Sequence, residues 1–398
     1  MFQWCSAWVV GVSVLGCLAI RTTAGQPPMA KVAATFDIGE FPAGVTRSGF
    51  VTDRPIRNSL DGRDLKPELS ANQRFAVIPL GRSEFRVVDI QTGALSQRVA
   101  PFDEWRMTEL SISAHGRLVV ARGAGGDLVI YEVGGGSRSD RNEDEIALRP
   151  YPEMISLEYG EGRFALLDDP GRVVVVRDKT RRWRMDVFEV PGFDVTKKSL
   201  PRPSEGRLQD LVVTRKQEVL ALHASIKPST GMSAIRVDKI YPEHESLIPP
   251  ALRRGDRFVI TGDSVFAFLT SYPGGRHMAF PLDDTGRPAR QGYGFSIPFS
   301  DDLRFTIGNG SVSGRTYAIG TARIIGSDGN PAVVYVGSAS RAGETRVYGF
   351  PRDIDSVWPL GFVQGEERMV VACYGGGKGV GEEERIRVSL EIVDLGNR

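Results

Sequence analysis

The residues best suited to metal binding or nucleophilic catalysis in this 398-residue chain are three cysteines and four histidines. Cys5 and Cys17 lie in an apolar N-terminal segment, which leaves Cys373 without a disulfide partner and without the spacing of a zinc or haem site. The histidines are isolated, and none has a second ligand at the spacing that would place both on one helix face. These isolated histidines are His115, His223, His244 and His277. We therefore predict no catalytic residue, no metal ligand and no cofactor.

Two further patterns resemble chemical sites but are typical of turns. The adjacent aspartates Asp168-Asp169, Asp283-Asp284 and Asp301-Asp302 lack the alternating oxygen ligands of an EF-hand. Aspartate is a normal turn residue because its side chain accepts hydrogen bonds from nearby backbone amides. The glycine-rich run 374–379 lacks the first Gly and the final Ser or Thr of a phosphate-binding loop, which favours a hairpin loop. Calcium binding at one aspartate turn stays open as an alternative.

Composition excludes several classes of protein. The 50 Lys and Arg against 49 Asp and Glu give a net charge of +1, so no overall field attracts nucleic acid, and we predict no nucleic-acid partner. The apolar content of 41% is enough for a folded core and excludes global disorder. The 46 glycines and 24 prolines are more than usual and indicate many turns between short strands.

The N-terminal segment predicts export. Residues 7–20 form an uncharged apolar run that is short for a membrane span but suits the core of a signal peptide. Small residues lead to Gly25, so we predict a signal peptide at 1–25 and a mature protein, periplasmic or extracellular, that begins at Gln26. Because residues 1–6 contain no Lys or Arg, an uncleaved anchor or an internal buried segment stays open.

Cys17 supports a second version of this prediction. The sequence Val14-Leu15-Gly16-Cys17 resembles a bacterial lipoprotein box, in which the cysteine is lipidated. The apolar residues 18–20 differ from the polar tether that usually follows such a box. Lipidation would anchor the protein to a membrane, whereas cleavage near Gly25 would release it.

An internal repeat carries the architecture. Seven times, an apolar strand is followed by a polar turn, a long polar marker residue and a second apolar strand. The marker residues are Arg74, Arg117, Arg163, Glu218, Arg257, Arg304 and Arg368. The six intervals between them average 49 residues, which matches a four-stranded propeller blade interrupted by loops of different length.

A third strand in several units ends in an acid followed by an apolar residue. These ends are Asp89-Ile90, Glu132-Val133, Glu189-Val190 and Asp394-Leu395. The strands are rich in β-branched residues, and no segment after the N-terminal one has a sustained helical period with caps. The chain is therefore predicted to be all-β.

Residues 69–93, LSANQRFAVIPLGRSEFRVVDIQTG, resemble one repeat of a WD-repeat-like β-propeller. The resemblance covers about residues 65–398 and implies seven blades of four antiparallel strands, with six or eight left open. The chain departs from the strict pattern because Gly-His is absent and Val88-Asp89 or Tyr131-Glu132 replaces Trp-Asp. Divergent bacterial propellers are therefore the better comparison. Residues 26–64 are predicted to be an extended arm, in which residues 32–38 could supply the strand that closes the ring.

In propellers of this kind, the residues just before the first strand of each blade line one mouth of the central channel. The resemblance therefore implies a binding surface made of Trp105, Arg106, Tyr151, Glu153, Arg207, Asp210, Tyr293 and Trp358. Aromatic residues with arginine are the composition of binding hot spots. The alternative is that the aromatics are core residues between adjacent blades.

We conclude from the sequence that the chain is an exported, non-catalytic β-propeller that binds or scaffolds a protein or other macromolecule. We expect a monomer, in contact with a membrane only if Cys17 is lipidated. The alternative is a hydrolase or lactonase-like propeller enzyme with a metal in its central channel. The fold cannot decide between them, because one fold supports many functions.

Overall fold

Nearly every segment described by the computed structural model is a β-strand, and the described residues include no helix. The model describes residues 27–42, 65–102, 107–134, 145–156, 162–168, 171–179, 182–200, 207–213, 217–227, 232–253, 259–261, 264–266, 269–271, 276–279, 293–296, 303–310, 316–323, 331–338, 345–363, 365, 367–377 and 385–396. Within these ranges, no helix has the length and apolar character needed to cross a membrane.

The strands of the N-terminal half are β1 (Lys31–Pro42), β2 (Glu68–Leu69), β3 (Phe75–Leu80), β4 (Glu84–Asp89), β5 (Leu95–Ser96), β6 (Met107–Ile112), β7 (Leu118–Gly123), β8 (Asp127–Val133), β9 (Glu145–Ile146), β10 (Leu148–Pro150), β11 (Ile155–Ser156), β12 (Arg163–Asp168), β13 (Gly171–Lys179), β14 (Arg182–Glu189) and β15 (Val195–Leu200).

Those of the C-terminal half are β16 (Arg207–Val213), β17 (Val219–Lys227), β18 (Met232–Tyr241), β19 (Glu245–Arg253), β20 (Val259–Thr261), β21 (Ser264–Phe266), β22 (Leu269–Ser271), β23 (Arg276–Ala279), β24 (Tyr293–Ser296), β25 (Leu303–Gly310), β26 (Thr316–Arg323), β27 (Val333–Ser338), β28 (Thr345–Gly349), β29 (Ile354–Val363), β30 (Arg368–Gly377) and β31 (Arg385–Asp394).

The first four blades are antiparallel sheets whose strands follow one another in chain order. Blade 1 contains β2 to β5, and β9 joins its outer edge in parallel to β5. Blade 2 contains β6, β7 and β8, and its fourth position is shared by β10 and β11, which both pair with β8. Blade 3 contains β12 to β15 and blade 4 contains β16 to β19.

Two further blades lie at the C-terminal end of the chain. The penultimate blade contains β25 to β28, and the closing blade contains β29 to β31 followed by β1. A single residue pair, Ala322 with Ser356, connects these two blades into one sheet. Between blade 4 and the penultimate blade, the described strands form one pair, β20–β21, and one group of three, β22–β24. The number of seven blades therefore stays a prediction.

Strand β1 brings the N-terminal part of the chain to the C-terminal strand. It pairs antiparallel with β31 from Lys31, opposite Asp394, to Pro42, opposite Arg385. The Arg86 guanidinium of blade 1 donates a hydrogen bond of 2.8 Å to the carbonyl of Ile38 in β1. The closing blade is thus tied to blade 1 through a strand from the other end of the chain.

The third and sixth repeats differ from the sequence prediction by one strand, since Arg163 and Arg304 both lie in the first strand of a blade. Arg74 and Arg117 directly precede the second strand of their blades, whereas Arg163 begins β12, the first strand of blade 3. The second strand, β13, begins at Gly171, so Arg172 is the residue that corresponds to the other markers. The prediction was wrong at Arg163 because the apolar residues around Ile155 pair with β8 and belong to blade 2.

The core consists of apolar layers between consecutive blades. Separate buried clusters lie between blades 2 and 3, between blades 3 and 4, and between the penultimate and closing blades, while a larger one joins the closing blade to blades 1 and 2. Because a blade is covered on both faces, its middle strands are largely apolar without alternation, and in β7 all six residues are buried, with Arg122 the one charged residue among them. This face-to-face packing explains why β-branched residues dominate these strands.

Candidate binding cleft between blades 2 and 3

The turn between the first and second strands has the same construction in blades 1 and 2. In blade 1, Ser70 Oγ accepts a hydrogen bond of 3.0 Å from the amide of Phe75. In blade 2, Ser113 Oγ accepts one of 2.9 Å from the amide of Leu118. The serine side chain thus closes each turn, as short polar side chains do where the backbone reverses. We call these turns and their counterparts in blades 3 and 4 the rim turns.

Hydrogen bonds connect the rim turns of four consecutive blades. Asn72 in blade 1 donates from its side chain to the carbonyl of His115 in blade 2, at 2.8 Å. The amide of His115 donates to Asp168 Oδ2 in blade 3, at 2.7 Å. The amide of Asp168 in turn donates to Gln217 Oε1 in blade 4, at 2.9 Å. One rim of the propeller is therefore held by polar contacts that run from blade to blade.

A cleft of about 700 Å³ opens beside this rim, between blades 2 and 3. Its floor includes Leu118 of blade 2 and Gly171 and Val190 of blade 3. A Cβ at Gly171 would lie 3.2 Å from the carbonyl oxygen of Val190 and 3.7 Å from Leu118 Cδ1, so the two blades approach closely at the floor. Prolines and charged residues form the walls, namely Pro150, Pro152 and Pro191 with Arg117, Glu132, Arg149 and Asp168.

The cleft exists because the fourth strand of blade 2 is interrupted. Pro150 lies opposite Tyr131 of β8, and Ile155 lies opposite Leu128. Between these two pairs, the outer strand advances by five residues whereas β8 advances by three. The two extra residues of the outer strand leave the sheet as a bulge. The amide of Tyr151 still donates to the carbonyl of Ile130, at 2.9 Å, which fixes the start of the bulge.

Tyr151 is the aromatic residue of the cleft. Its ring packs edge-on against Phe193 of blade 3, with centroids 6.1 Å apart. Burial raises the pKa of the Tyr151 hydroxyl, and the nearby Glu132 carboxylate adds to this, whereas Arg117 and Arg149 oppose it. The hydroxyl therefore stays protonated at neutral pH and can donate a hydrogen bond in the cleft.

Asp168 connects the cleft to the rim. Its side chain is fully buried, and Oδ2 lies 3.4 Å from Nδ1 of the exposed His115. The second oxygen, Oδ1, is buried and has no hydrogen-bond partner among the described residues. A buried carboxylate oxygen without a partner is costly, so the contact with His115 and the amide of that residue hold Asp168 at the junction of the two blades.

Comparison with known proteins supports the fold and does not extend to a family. No protein-family model matches the sequence, and no curated protein matches it. Raptor from Chaetomium thermophilum is similar in structure, with a TM-score of 0.54 and 13% identity over 94% of this chain. The match spans 29% of the length of the Raptor chain. The β-propeller domain of Cps50 (Swd1) from Myceliophteria thermophila matches with a TM-score of 0.48 and 12% identity, over 81% of this chain and 95% of that domain.

This chain has a β-propeller fold. The predicted fold class, all-β with blades of four antiparallel strands, is confirmed by the sheets and the structural similarity together.

The structure places two of the residues predicted at the channel mouth next to the cleft. Tyr151 lines the cleft, and Glu153 is exposed in the same bulge. Trp358, expected just before a strand, lies within β29 and is only 9% exposed. It packs in the apolar cluster that joins the closing blade to blades 1 and 2, and its Nε1 donates to Ser356 Oγ at 3.1 Å.

The other predicted residues that the structure describes are not brought to the cleft. Arg207 and Asp210 lie in β16 of blade 4, and Tyr293 lies in β24. Trp105, Arg106 and Cys17 lie outside the described residues.

Arg117, Arg149 and Glu132 were missing from the predicted site. A signal for each was present in the sequence, because Arg117 is a repeat marker, Glu132 ends a third strand, and Arg149 is two residues before Tyr151. The sequence alone could not bring these three together, because that depends on the pairing of β7, β8 and β10.

The described residues contain no group of three or more His, Cys, Asp or Glu side chains that could hold a metal ion. The predicted absence of metal ligands and cofactors stays a prediction, since the loops of the central channel are only partly described.

Proposed function

We propose that this chain is an exported, non-catalytic β-propeller that binds a protein partner. The observation that carries the proposal is the cleft between blades 2 and 3, which combines an aromatic residue, two exposed arginines and an apolar floor. Tyrosine and arginine are enriched at binding hot spots. The hydrogen-bonded rim turns hold the cleft in place before binding, which reduces the entropy cost of association.

The same proposal covers the domain organisation and a second surface. Residues 1–25 act as a signal peptide, 26–64 as an arm with the ring-closing strand, and 65–398 as the propeller. The channel mouth predicted around Trp105 and Arg106 is a second candidate surface. Its contribution is tested by Trp105→Ala, because Trp358→Ala would remove a core side chain and destabilise the fold.

Affinity capture tests the binding function. The chain from residue 27 to 398, tagged at its C terminus, is mixed with an extract of its native cell envelope, and retained proteins are quantified by mass spectrometry. We expect one or a few proteins to be retained stoichiometrically and released by excess untagged chain. Loss of retention under these conditions, together with a stoichiometric metal and turnover of lactones or esters, would instead support an enzyme.

Export is tested separately by the N terminus of the mature protein. Support for export comes from the apolar run at residues 7–20 and the small residues before Gln26. We expect the mature chain in the native cell to begin at Gln26. A lipidated N-terminal Cys17, abolished by Cys17→Ser, would indicate an anchored protein, and an intact Met1 in the cytoplasmic fraction would contradict export.

A further inference from the structure

We propose that the cleft between blades 2 and 3 binds an extended, acidic segment of the protein partner, with a ligand carboxylate placed between Arg117 and Arg149. This inference rests on the proposed binding function and specifies the chemistry of the partner.

Arg117 differs from the equivalent arginines of other blades. Arg74 lies 3.0 Å from Asp89, the acid at the end of the third strand of blade 1. The corresponding distance is 3.3 Å from Arg172 to Glu189 in blade 3. It is 2.8 Å in the closing blade, from Arg368 to Asp394. In these three blades, the arginine at this position is neutralised by an acid of its own sheet.

In blade 2, the corresponding pair does not form. Arg117 directly precedes Leu118, which lies opposite Glu132, so the register is the same as in blade 1. Nevertheless, neither Arg117 nor Arg149 forms an ion pair in the described part of the chain. Both side chains are exposed at the wall of the cleft. Two guanidinium groups are therefore available to a ligand.

The exposed side chains that line the cleft are mainly hydrogen-bond donors. Arginine carries donors only, and the Tyr151 hydroxyl is protonated at neutral pH. The three prolines of the walls have no backbone N–H, so binding depends on these side chains. Of the two carboxylates in the lining, Asp168 is buried and Glu132 is half-buried, and the exposed Glu153 of the bulge is outside the lining. The arginines are therefore the exposed charges of the lining. A carboxylate ligand matches this pattern, because arginine binds carboxylates in a bidentate geometry.

The apolar floor identifies the rest of the ligand. Leu118, Val190 and Tyr151 contact the buried layer between blades 2 and 3, so an aliphatic side chain of the ligand would pack there. The cleft volume of about 700 Å³ accommodates a few residues of an extended chain. A dianionic phosphate is less suitable than a carboxylate, since Glu132 and Asp168 would repel the greater charge more strongly.

The test uses short peptides, selected from a random library, as the probe. A random 12-residue peptide library displayed on phage is selected on the immobilised chain 27–398, and enriched peptides are synthesised and titrated by fluorescence anisotropy. We expect each binder to contain Asp or Glu beside an aliphatic residue. We expect Glu→Gln in the peptide to weaken binding about tenfold, and a rise from 50 to 200 mM salt to weaken it as well.

Protein variants locate the contact. Arg117→Gln and Arg149→Gln should each weaken peptide binding about tenfold, whereas Lys197→Gln, which removes an exposed charge from β15 of blade 3, should change it less than twofold. Thermal unfolding of each variant is measured beside the wild type. If a variant is not folded, the Glu→Gln peptide on the wild-type chain decides the question.

Three results would overturn the proposal. These are enriched peptides without an acid, binding by both arginine variants that is as tight as binding by the wild type, and a phosphoserine peptide that binds at least tenfold tighter than its glutamate counterpart through the same arginines. The proposed function is judged independently. If the arginine variants still retain the captured partner, the acidic-segment proposal fails and the binding function stands, whereas failure of the wild-type chain to retain any partner contradicts both.

Discussion

The guanidinium of Arg74 lies 3.0 Å from the carboxylate of Asp89, across the second and third strands of blade 1. The arginine side chain is 49% exposed, whereas that of Asp89 is only 5% exposed. The buried carboxylate also accepts hydrogen bonds from the amides of Gln91, at 2.9 Å, and Thr92, at 3.3 Å. Asp89 therefore closes the turn that follows the third strand and also holds the start of the second strand.

This arrangement predicts an order of stability among three substitutions. Asp89→Ala removes both turn contacts and the ion pair, and we expect the free energy of unfolding to fall by about 2–3 kcal/mol. Asp89→Asn keeps an acceptor oxygen for the amides and should cost about 1 kcal/mol. Arg74→Gln should cost about 0.5 kcal/mol, because an exposed cation contributes little. Urea unfolding measures all three, and equal costs for Arg74→Gln and Asp89→Ala would contradict this division.

The repeated arginine and acid also explain how far the sequence could predict the structure. The pattern correctly identified the all-β class and the paired strands of blades 1 and 2, because each local signal coincides with a strand end. It failed at Arg163, where the pairing of Ile155 with a strand of the preceding blade is a long-range contact. Periodicity in one sequence does not reveal such contacts.

The candidate site was less predictable than the fold. Tyr151 was selected for its residue type and lines the cleft, while its role in binding stays a prediction. The cleft itself depends on extra residues in the outer strand of blade 2. Trp358 was selected on the same ground, as an aromatic residue expected before a first strand, but lies among core residues. Residue type indicates which side chains can form a hot spot, whereas only the register of the strands determines which of them face a cleft.

Gly116 in the rim turn of blade 2 should tolerate no side chain. Its φ is +74°, and a Cβ there would overlap the ring of Phe75. Gly134 is a matched control, with a φ of +81° and no atom within 4 Å of an added Cβ. We expect Gly134→Ala to cost about 1 kcal/mol for the left-handed backbone alone. Gly116→Ala should cost at least about 1 kcal/mol more because of the overlap. Urea unfolding measures both, and similar values would mean that Phe75 moves aside without cost.

Among the arginines that connect blades, Arg122 is expected to be the one whose substitution lowers the free energy of unfolding most. It is only 3% exposed, lies 3.3 Å from Glu109 of its own blade, and donates to the carbonyl of Gly162 in blade 3 at 2.9 Å. Arg122→Met leaves the carboxylate and the carbonyl without their partner, so the free energy of unfolding should fall by about 3 kcal/mol.

Two further variants separate charge from packing at Arg122. Adding Glu109→Gln to Arg122→Met should recover about 1 kcal/mol, because the uncompensated charge is removed. Arg98→Met breaks the exposed pair with Glu84, at 3.6 Å, and should cost less than about 1 kcal/mol. The prediction is wrong if Arg98→Met and Arg122→Met have the same effect on urea unfolding.

Glu391 in the closing blade should make stability depend on pH. Burial raises the pKa of its carboxyl above the ordinary value of 4.5, and Asp353 adds to this, whereas hydrogen bonds from Cys373 and Ser389 lower it. The folded chain therefore holds the proton more tightly than the unfolded chain. As the pH rises above 4.5, the unfolded state ionises first, so stability falls until the folded carboxyl also ionises.

Glu391→Gln removes this loss, since the amide does not titrate. We expect the free energy of unfolding of Glu391→Gln, relative to the wild type, to increase as the pH is raised from 4 to 7. Cys373→Ala removes a hydrogen bond that favours the ionised carboxylate, so the fall in stability should extend to higher pH. Urea titrations at each pH test both variants. Parallel profiles for Glu391→Gln and the wild type would mean that the carboxylate has the same proton affinity in the folded and unfolded states.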